Sequence, residues 1–327
     1  MSKFANAFSG LNKGSGNSDP NAPKIDWEKI NNGLVDLFDT KEKAKSRVGV
    51  ISGIIDLGLQ PMDDGHKKSD VAVEDEADFI DDNPNNYFDD YTDPVSKKTE
   101  RHVFWKQKAQ RAVAITVDFP QYQFDYEGEV GVKPVRFLLN GDFVPKGQKA
   151  WDVVVGRTYD LRETTKDFDP KWSLAKNSLL YKLALATEVI KPNEPFSKGR
   201  IGELIGKHAL FEARLWLDGG YLQERISFKG EVPEGMNKPE VDEDTLYFIN
   251  LDEVNEEQHV KQLRRAVKNT IKRSESYEGS KLQEQFDSVL FPVYNKDETK
   301  TEDKAPEPVP APVTTGVEFN PEDDAPF

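Results

Sequence analysis

Hydrophobic positions along the chain predict several short β-strands. Residues 48–57 form an apolar run with internal glycines, which is typical of a strongly bent strand. Further strands are predicted over residues 110–119, 135–140 and 149–155. The clearest pattern spans residues 209–229, where two alternating segments flank the sequence Asp218-Gly219-Gly220. This arrangement predicts a β-hairpin with a tight turn.

Apolar residues at helical spacing predict helices around and between these strands. The expected helices span residues 27–38, 172–190, 256–273 and 282–290, with a short helical turn over residues 201–205. Several short strands with internal glycines and one helix set between strands indicate a mainly β fold with added helices. The expected fold is an OB-fold, which is a partly open five-stranded Greek-key barrel. An unrelated α+β domain remains an alternative.

Three segments are too polar to join a packed core. Residues 1–23 contain Gly, Ser, Asn and Pro without an apolar stretch, and they are expected to form a disordered N-terminal arm. Residues 62–96 are acidic with little aliphatic content, which predicts a long mobile loop. Residues 293–327 are expected to form a disordered acidic tail. The folded domain is therefore expected over residues 24–292, with the acidic insertion at 62–96 and C-terminal helices over residues 256–290.

The distribution of charge changes what the net charge implies. The chain has a formal net charge of -15, which by itself argues against binding to nucleic acid. Residues 62–96 carry a net charge of -10 and residues 296–327 carry -6, so the remainder of the chain is at +1. The folded part is thus close to neutral and has enough Lys and Arg for a local basic face.

Composition further narrows the class of protein. The chain has no cysteine, which excludes disulfides and thiolate metal sites and favours a reducing compartment. No apolar run approaches the roughly 18 residues that cross a bilayer. The expected location is the cytoplasm.

Motifs of catalysis and metal binding are weak in this sequence. Residues 202–208 resemble a phosphate-binding loop but are one residue short and lack Ser or Thr after Lys207. The acidic stretch from Asp81 lacks the glycine and the final carboxylate of a calcium loop. The four histidines have no metal-ligand spacing. We therefore expect a protein that is not an enzyme and that has no cofactor and no bound metal.

The predicted hairpin carries the first candidate binding surface. One side of its alternating pattern is apolar, and the other displays aromatic and basic residues together: Arg214, Trp216, Tyr221, Arg225 and Lys229. Aromatic rings stack on bases while cations contact phosphates, and this combination binds single strands with little sequence preference. Packing of Trp216 and Tyr221 beneath the acidic loop or a terminal helix is an equally open interpretation.

A second candidate surface combines aromatic and basic residues further towards the N-terminus. Its residues are Trp105, Lys106, Lys108, Arg111, Tyr122, Phe124 and Tyr126. Phe124 is equally suited to the edge of the core. Trp151, with basic residues nearby in sequence, is a further candidate. The basic side of the helix over residues 256–273 is interpreted as a solvated surface, although it would also lengthen a nucleic-acid path.

The end of the chain resembles a known family. A Pro-rich linker over residues 305–312 leads to the terminal residues Asp323, Asp324, Ala325, Pro326 and Phe327. This ending is similar to the C-terminus of bacterial single-stranded DNA-binding proteins, with Ala325 in place of a larger apolar residue. The length, the acidic insertion and residues 201–232 look more like phage-encoded members. In such proteins the tail recruits replication and repair proteins and competes with DNA for the basic groove.

The sequence therefore predicts a single-stranded DNA-binding protein of phage type. It is expected to protect exposed strands during replication and recombination without sequence specificity, and to recruit replication proteins through its tail. A phage structural or assembly protein with solvated acidic appendages is one alternative. A nuclease that uses dispersed carboxylates and metal is a second, and a DNA mimic that uses residues 62–96 is a third.

Overall fold

A computed structural model describes residues 26–126, 131–143 and 158–288 of the chain. The predicted N-terminal arm, the predicted strand over residues 149–155 and the predicted acidic tail lie outside the described residues. The described part is mainly β with added helices, which confirms the fold class at that level. None of its helices is long and apolar enough to cross a membrane.

Twelve strands and six helices are named here in chain order within the described residues. The strands are β1 (Lys45–Gln60), β2 (Gly65–Lys68), β3 (Asn86–Thr92), β4 (Thr99–Trp105), β5 (Gln110–Asp125), β6 (Val132–Leu138), β7 (Tyr159–Asp160), β8 (Glu163–Thr164), β9 (Ser173–Leu174), β10 (His208–Asp218), β11 (Tyr221–Gly230) and β12 (Tyr247–Ile249). The helices are α1 (Trp27–Phe38), α2 (Glu76–Asp82), α3 (Leu179–Ala186), α4 (Glu257–Lys261), α5 (Arg265–Lys272) and α6 (Lys281–Asp287). Short 3-10 helices cover Val73–Asp75, Lys198–Leu204 and Glu243–Thr245.

The largest sheet is built around the long strand β1. Its main strands lie in the order β11-β10-β1-β5-β6, all antiparallel, while β12 pairs in parallel with β1 and β7 pairs with β5. The first part of β1 pairs with β10 and most of the strand pairs with β5. Two irregularities, at Ile51/Gly53 and Asp56/Gly58, bend the strand between these neighbours. Both irregularities fall within or at the end of residues 48–57, the segment for which the sequence predicts a strong bend.

The two outer strands of this sheet approach each other without forming a ladder. No strand pairing joins β6 to β11 within the described residues, so the sheet does not close by strand pairing. Three polar contacts bridge the gap instead. The Leu138 amide donates to Glu224 Oε1 at 3.3 Å, the Asn140 amide donates to the Ile226 carbonyl at 3.4 Å, and Arg264 binds both strands.

Apolar residues cover both faces of the sheet. Neighbours such as Ile54 and Ile55 belong to different core clusters, because successive side chains of a strand point to opposite faces. One face packs against α1 and α3. The other packs against the C-terminal segment over residues 243–288, called the strap below, through residues such as Tyr247, Val267 and Ile271. The sheet is therefore the middle layer of three.

Helix α1 confirms the prediction for residues 27–38. Asp26 caps its N-terminus by accepting a hydrogen bond from the Lys29 amide at 3.0 Å. Ile30, Leu34 and Phe38 are buried against the sheet, and Asp39 ends the helix in the left-handed conformation.

The acidic insertion corrects the prediction of a long mobile loop. Residues 65–105 form a separate three-stranded sheet in the order β2-β4-β3, with α2 beside it, and this unit is called the arm below. Phe79 of α2 packs on Phe88 of β3, and Val103 of β4 is buried. These few apolar residues are enough to order the segment because cross-strand pairs stabilise a small sheet.

Two long helices predicted from the sequence are shorter in the structure. Within residues 172–190 only α3 is helical, since Ser173 and Leu174 pair with β8 and Ser178 caps the helix. The predicted helix over residues 256–273 is divided into α4 and α5. The division lies at Leu263 and Arg264, where Arg264 takes an extended backbone and its side chain reaches β11.

Candidate nucleic-acid interface

The β10–β11 hairpin has the geometry that its sequence predicts. Gly219 and Gly220 both have positive φ angles, of 56° and 81°, as a two-residue hairpin turn requires. The register places Arg214 opposite Arg225 and Trp216 opposite Gln223. Arg214, Trp216, Tyr221, Arg225 and Lys229 therefore share one side of the hairpin, which we call the hairpin face.

The two sides of the hairpin differ in burial. Phe211, Ala213 and Leu215 point to the core and are fully or almost fully buried. On the hairpin face, Arg225 is exposed, Trp216 is partly exposed and Tyr221 keeps 51% of its surface accessible. The structure therefore leaves two aromatic rings and an arginine of this face in contact with solvent.

Arg214 connects the hairpin face with the loop that precedes β1. Its guanidinium lies 4.6 Å from the centroid of the Trp216 ring, which is cation–π distance. The same group donates to the carbonyl of Lys41, with Nη2 at 2.8 Å and Nε at 3.3 Å. These contacts hold the side chain of Arg214 in place and bring the loop with exposed Lys41 and Lys43 beside it.

The positive charges of the hairpin face are unevenly compensated. The ammonium group of Lys229 lies 2.8 Å from the Glu212 carboxylate, so Lys229 belongs to a local ion pair. Arg214 and Arg225, in contrast, are directly opposed across the two strands. Like charges in this position repel each other, and an anion bound between them would relieve the repulsion. The face therefore suits a negatively charged ligand that also offers flat rings.

The second predicted surface is only partly available. Trp105 lies over Gly65, where an added Cβ would come within 2.6 Å of the indole ring. Lys106 pairs with Asp64 at 2.7 Å and Lys108 is exposed. All three lie at the point where the arm joins the large sheet. Among the described residues, the structure records no hydrogen bond, ion pair or ring contact between these three side chains and the hairpin face.

Arg111, a predicted member of the second candidate surface, forms ion pairs within the protein and keeps 39% of its side-chain surface accessible. Its guanidinium binds the buried carboxylate of Asp56 through both oxygens and also reaches Asp252 at 3.0 Å. The hydrogen bond to Asp56 and the charges of both carboxylates raise the pKa of Arg111 above its usual range. The residue therefore ties β5 to β1 and to the strap.

The aromatic residues at the end of β5 correct a further prediction. Tyr122 packs on Phe38, with ring centroids 5.1 Å apart, and its other neighbour is the Arg47 guanidinium at 4.3 Å. Phe124 lies against Gly33 of α1. Tyr126 is only 6% exposed, and burial raises the pKa of its hydroxyl well above the usual range. Tyr122 and Phe124 attach α1 to the sheet and are half-buried, whereas Tyr126 is buried and offers little surface to a base.

Two predicted sites lie where the structure describes nothing. Trp151 and the docking peptide Asp323, Asp324, Ala325, Pro326 and Phe327 are outside the described residues. Their predicted roles stay predictions.

Sequence reasoning missed a row of rings on the arm. Tyr87, Phe104 and His66 are direct cross-strand neighbours, and Tyr87 and Phe104 stack at 5.1 Å with an angle of 13°. Next to them, the Nδ1 atoms of His66 and His102 lie 2.9 Å apart. Tyr87 and Tyr91 lie four positions apart and therefore share one face of a strand, and this spacing was the available signal.

Trp172 was also missed as a possible contact. It is 64% exposed, and the sequence placed it at the start of a helix over residues 172–190, of which the structure forms only Leu179–Ala186. Within residues 26–126, 131–143 and 158–288, no three His, Asp or Glu residues come together in a way that could hold a metal ion.

Comparison of the chain with protein-family models, with curated proteins and with solved structures gave no match.

Proposed function

We propose that the large sheet is an elaborated OB-fold. Strands β1, β5, β6, β10 and β11 have the chain order and neighbours of its five strands, with the bent β1 shared between β5 and β10. Helix α3 lies in the connection between β6 and β10. The barrel in this proposal is partly open, because side-chain and single backbone contacts replace the ladder between β6 and β11.

The proposed function is binding of single-stranded DNA without sequence preference. The observation that carries it is the opposed pair Arg214 and Arg225 beside Trp216 and the exposed Tyr221. The arginines contact phosphates in this proposal, and the rings stack on bases. A duplex hides its bases inside the stack, so a single strand fits this chemistry better.

In this proposal the protein acts by binding alone, without catalysis or a cofactor. It coats exposed strands during replication and recombination, in the manner of phage single-stranded DNA-binding proteins. The chemistry of the hairpin face does not by itself separate DNA from RNA, because rings and cations bind the parts that both share. Oligo-rU and a duplex are therefore titrated beside oligo-dT: the duplex should bind most weakly, tighter binding of oligo-rU than of oligo-dT would indicate an RNA ligand, and equal binding of the duplex would contradict a preference for single strands.

Titration of tryptophan fluorescence with oligo-dT at low salt tests the proposal. The expected result is strong quenching that weakens as salt rises, since phosphate contacts release counterions. Quenching should fall in Trp216→Phe and persist in Trp172→Phe, which removes another accessible indole. No quenching and no gel shift at low salt would refute DNA binding. Equal quenching in both variants would place the strand elsewhere.

A second proposal concerns the acidic end of the chain. In this proposal the ring of Phe327 fills an apolar pocket of the partner, and the acids at 323 and 324 steer the encounter. The partner is a replication or recombination protein. Deletion of residues 317–327 should abolish recruitment while DNA binding is kept or strengthened. Recruitment that survives the deletion would contradict this role.

A further inference from the structure

The strap covers a region that an OB-fold normally leaves open. In OB-folds, nucleic acid binds on the face of the second and third strands and on the loops beside it. Under the proposed fold these strands are β5 and β6. On their outer face Ala112, Ala114 and Leu138 are buried in one cluster with the strap.

Polar contacts fix the strap to the same two strands. Arg136 of β6 binds the buried Asp118 of β5 through two hydrogen bonds, at 2.7 and 2.8 Å. Its guanidinium also donates to the Thr245 carbonyl of the strap at 3.2 Å and lies 5.0 Å from the centroid of the Tyr247 ring. The strap thus shares the buried charges of β5 and β6, which makes removal of the strap costly.

Arg264 extends this attachment to the hairpin. The guanidinium binds both oxygens of Glu224 in β11, with Nη2 to Oε2 at 3.0 Å, and donates to the Arg136 carbonyl in β6 at 3.0 Å. Both charged side chains are largely buried. Glu224 is the sequence neighbour of Arg225, so this contact holds the strand that carries the exposed half of the hairpin face.

We propose that the strap stays on the sheet when single-stranded DNA binds, and that Arg264 is a positioning residue for the hairpin face. This inference rests on the proposed function. The face of β5 and β6 is then closed to DNA, and the strand is bound at the hairpin instead. Displacement of the strap would expose an extended apolar cluster and leave the carboxylate of Glu224 without its arginine.

A reversible cross-link tests whether the strap moves. The chain has no cysteine, so Leu59→Cys with Ser276→Cys gives a unique pair. These residues join β1 to the strap, because the Leu59 amide donates to Ser276 Oγ at 2.9 Å. Closure is verified by mass, and a short bis-maleimide with an internal, reducible disulfide closes the pair if a direct disulfide does not form.

Because the strap stays in place in this proposal, cross-linking should change the Kd for oligo-dT by no more than about twofold. This factor corresponds to about 0.4 kcal/mol of binding free energy. Loss of binding on cross-linking, with recovery on reduction of the disulfide, would show that the strap must open and would overturn the inference. No binding by the unmodified chain would instead refute the proposed function, so the two failures are distinguishable.

Variants of Arg264 test its positioning role. Arg264→Met should weaken oligo-dT binding by on the order of tenfold, while Arg264→Lys should recover part of the loss because it keeps the charge. Hydrogen exchange of β11 amides gives a second readout and should rise in Arg264→Met. Unchanged affinity and exchange in a folded variant would overturn the role. An Arg264→Met chain that does not fold would also overturn it, because Arg264 would then be needed for the whole fold.

Discussion

At the scale of single residues, the hairpin face combines a cost in stability with a gain in binding. Arg214 and Arg225 stand opposite each other, and Arg214 is held by Trp216 and the Lys41 carbonyl. A directly opposed like-charge pair destabilises a sheet by a few tenths of a kcal/mol. A bound anion would offset this repulsion, which gives a physical reason for two opposed arginines beside exposed aromatic rings.

The change Arg225→Gln should therefore have effects of opposite sign on stability and on binding. Removal of the like charge should raise the free energy of unfolding by about 0.2–0.5 kcal/mol. Loss of one phosphate contact should reduce the slope of log affinity against log salt by about 0.7. Urea unfolding and salt-dependent titration measure the two effects. Arg265→Gln, on the exposed side of α5, is the matched control and should leave the salt slope unchanged.

Individual contacts also show where prediction from sequence ends. Alternation along β10 and β11 was sufficient to place Arg214 and Tyr221 on one face, because strand periodicity is a local property. The partners of Arg111 are 55 and 141 residues away, at Asp56 and Asp252. No local pattern reveals such pairs, so the sequence does not show that Arg111 ties β5 to β1 and to the strap. The burial of Tyr126 likewise depends on tertiary packing, which strand periodicity alone does not reveal.

At the scale of elements, tertiary contacts override local periodicity in two places. Apolar spacing predicted one helix over residues 256–273, but the chain turns at Arg264 to reach Glu224. The arm was predicted as a loop because its sequence is polar. A row of rings and the Phe79–Phe88 contact order it despite its acids. The division of the helix depends on a partner that is distant in the sequence, whereas the arm is ordered by contacts within its own segment.

Gly53 provides a test of how the strap packs on β1. An added Cβ at this position would lie 2.6 Å from Tyr247 Cε1 and 2.7 Å from Thr116 Oγ1. Gly53→Ala should lower the free energy of unfolding by about 1–3 kcal/mol through overpacking. Gly202→Ala is the control, because nothing lies within 4 Å of its added Cβ. Denaturant unfolding measures the free energy of unfolding of both variants. If Gly53→Ala were as stable as Gly202→Ala, the close packing of Tyr247 on Gly53 would be contradicted.

The strap should also respond to pH through His259. Its ring stacks on Tyr247 at 5.0 Å, and burial lowers the pKa of His259 below its ordinary value of 6.5, against the opposing effect of Glu256. The unfolded chain therefore binds the proton more readily, so this residue's contribution to stability falls as pH drops below about 6.5.

The comparison variant for this pH effect is His259→Phe, which keeps a ring on Tyr247. Between about pH 7.5 and pH 5.5 the Tm of the natural chain should fall more than that of the variant. If the Tm of the two proteins changed with pH in parallel, His259 would make no contribution to the pH dependence of stability. The difference between the profiles is informative because other titrating groups are common to both proteins.

At the scale of the whole molecule, acidic charge and the hairpin face are kept in different parts of the fold. The arm segment from Asp70 to Asp82 holds acids without a basic residue, whereas the hairpin face holds opposed arginines. The net charge of -15 therefore describes appendages more than the sheet. Local fields, rather than the total charge, decide where a polyanion is attracted.

The most direct test of the central claim compares two charge reversals of equal size in an oligo-dT titration. Arg214→Glu with Arg225→Glu changes the hairpin face, and Arg265→Glu with Arg273→Glu changes the basic side of α5. If single-stranded DNA binds at the hairpin, the first pair should abolish measurable binding, and the second should weaken it only modestly through long-range charge. Equal losses from both pairs, or full binding after reversal at the hairpin, would contradict the account.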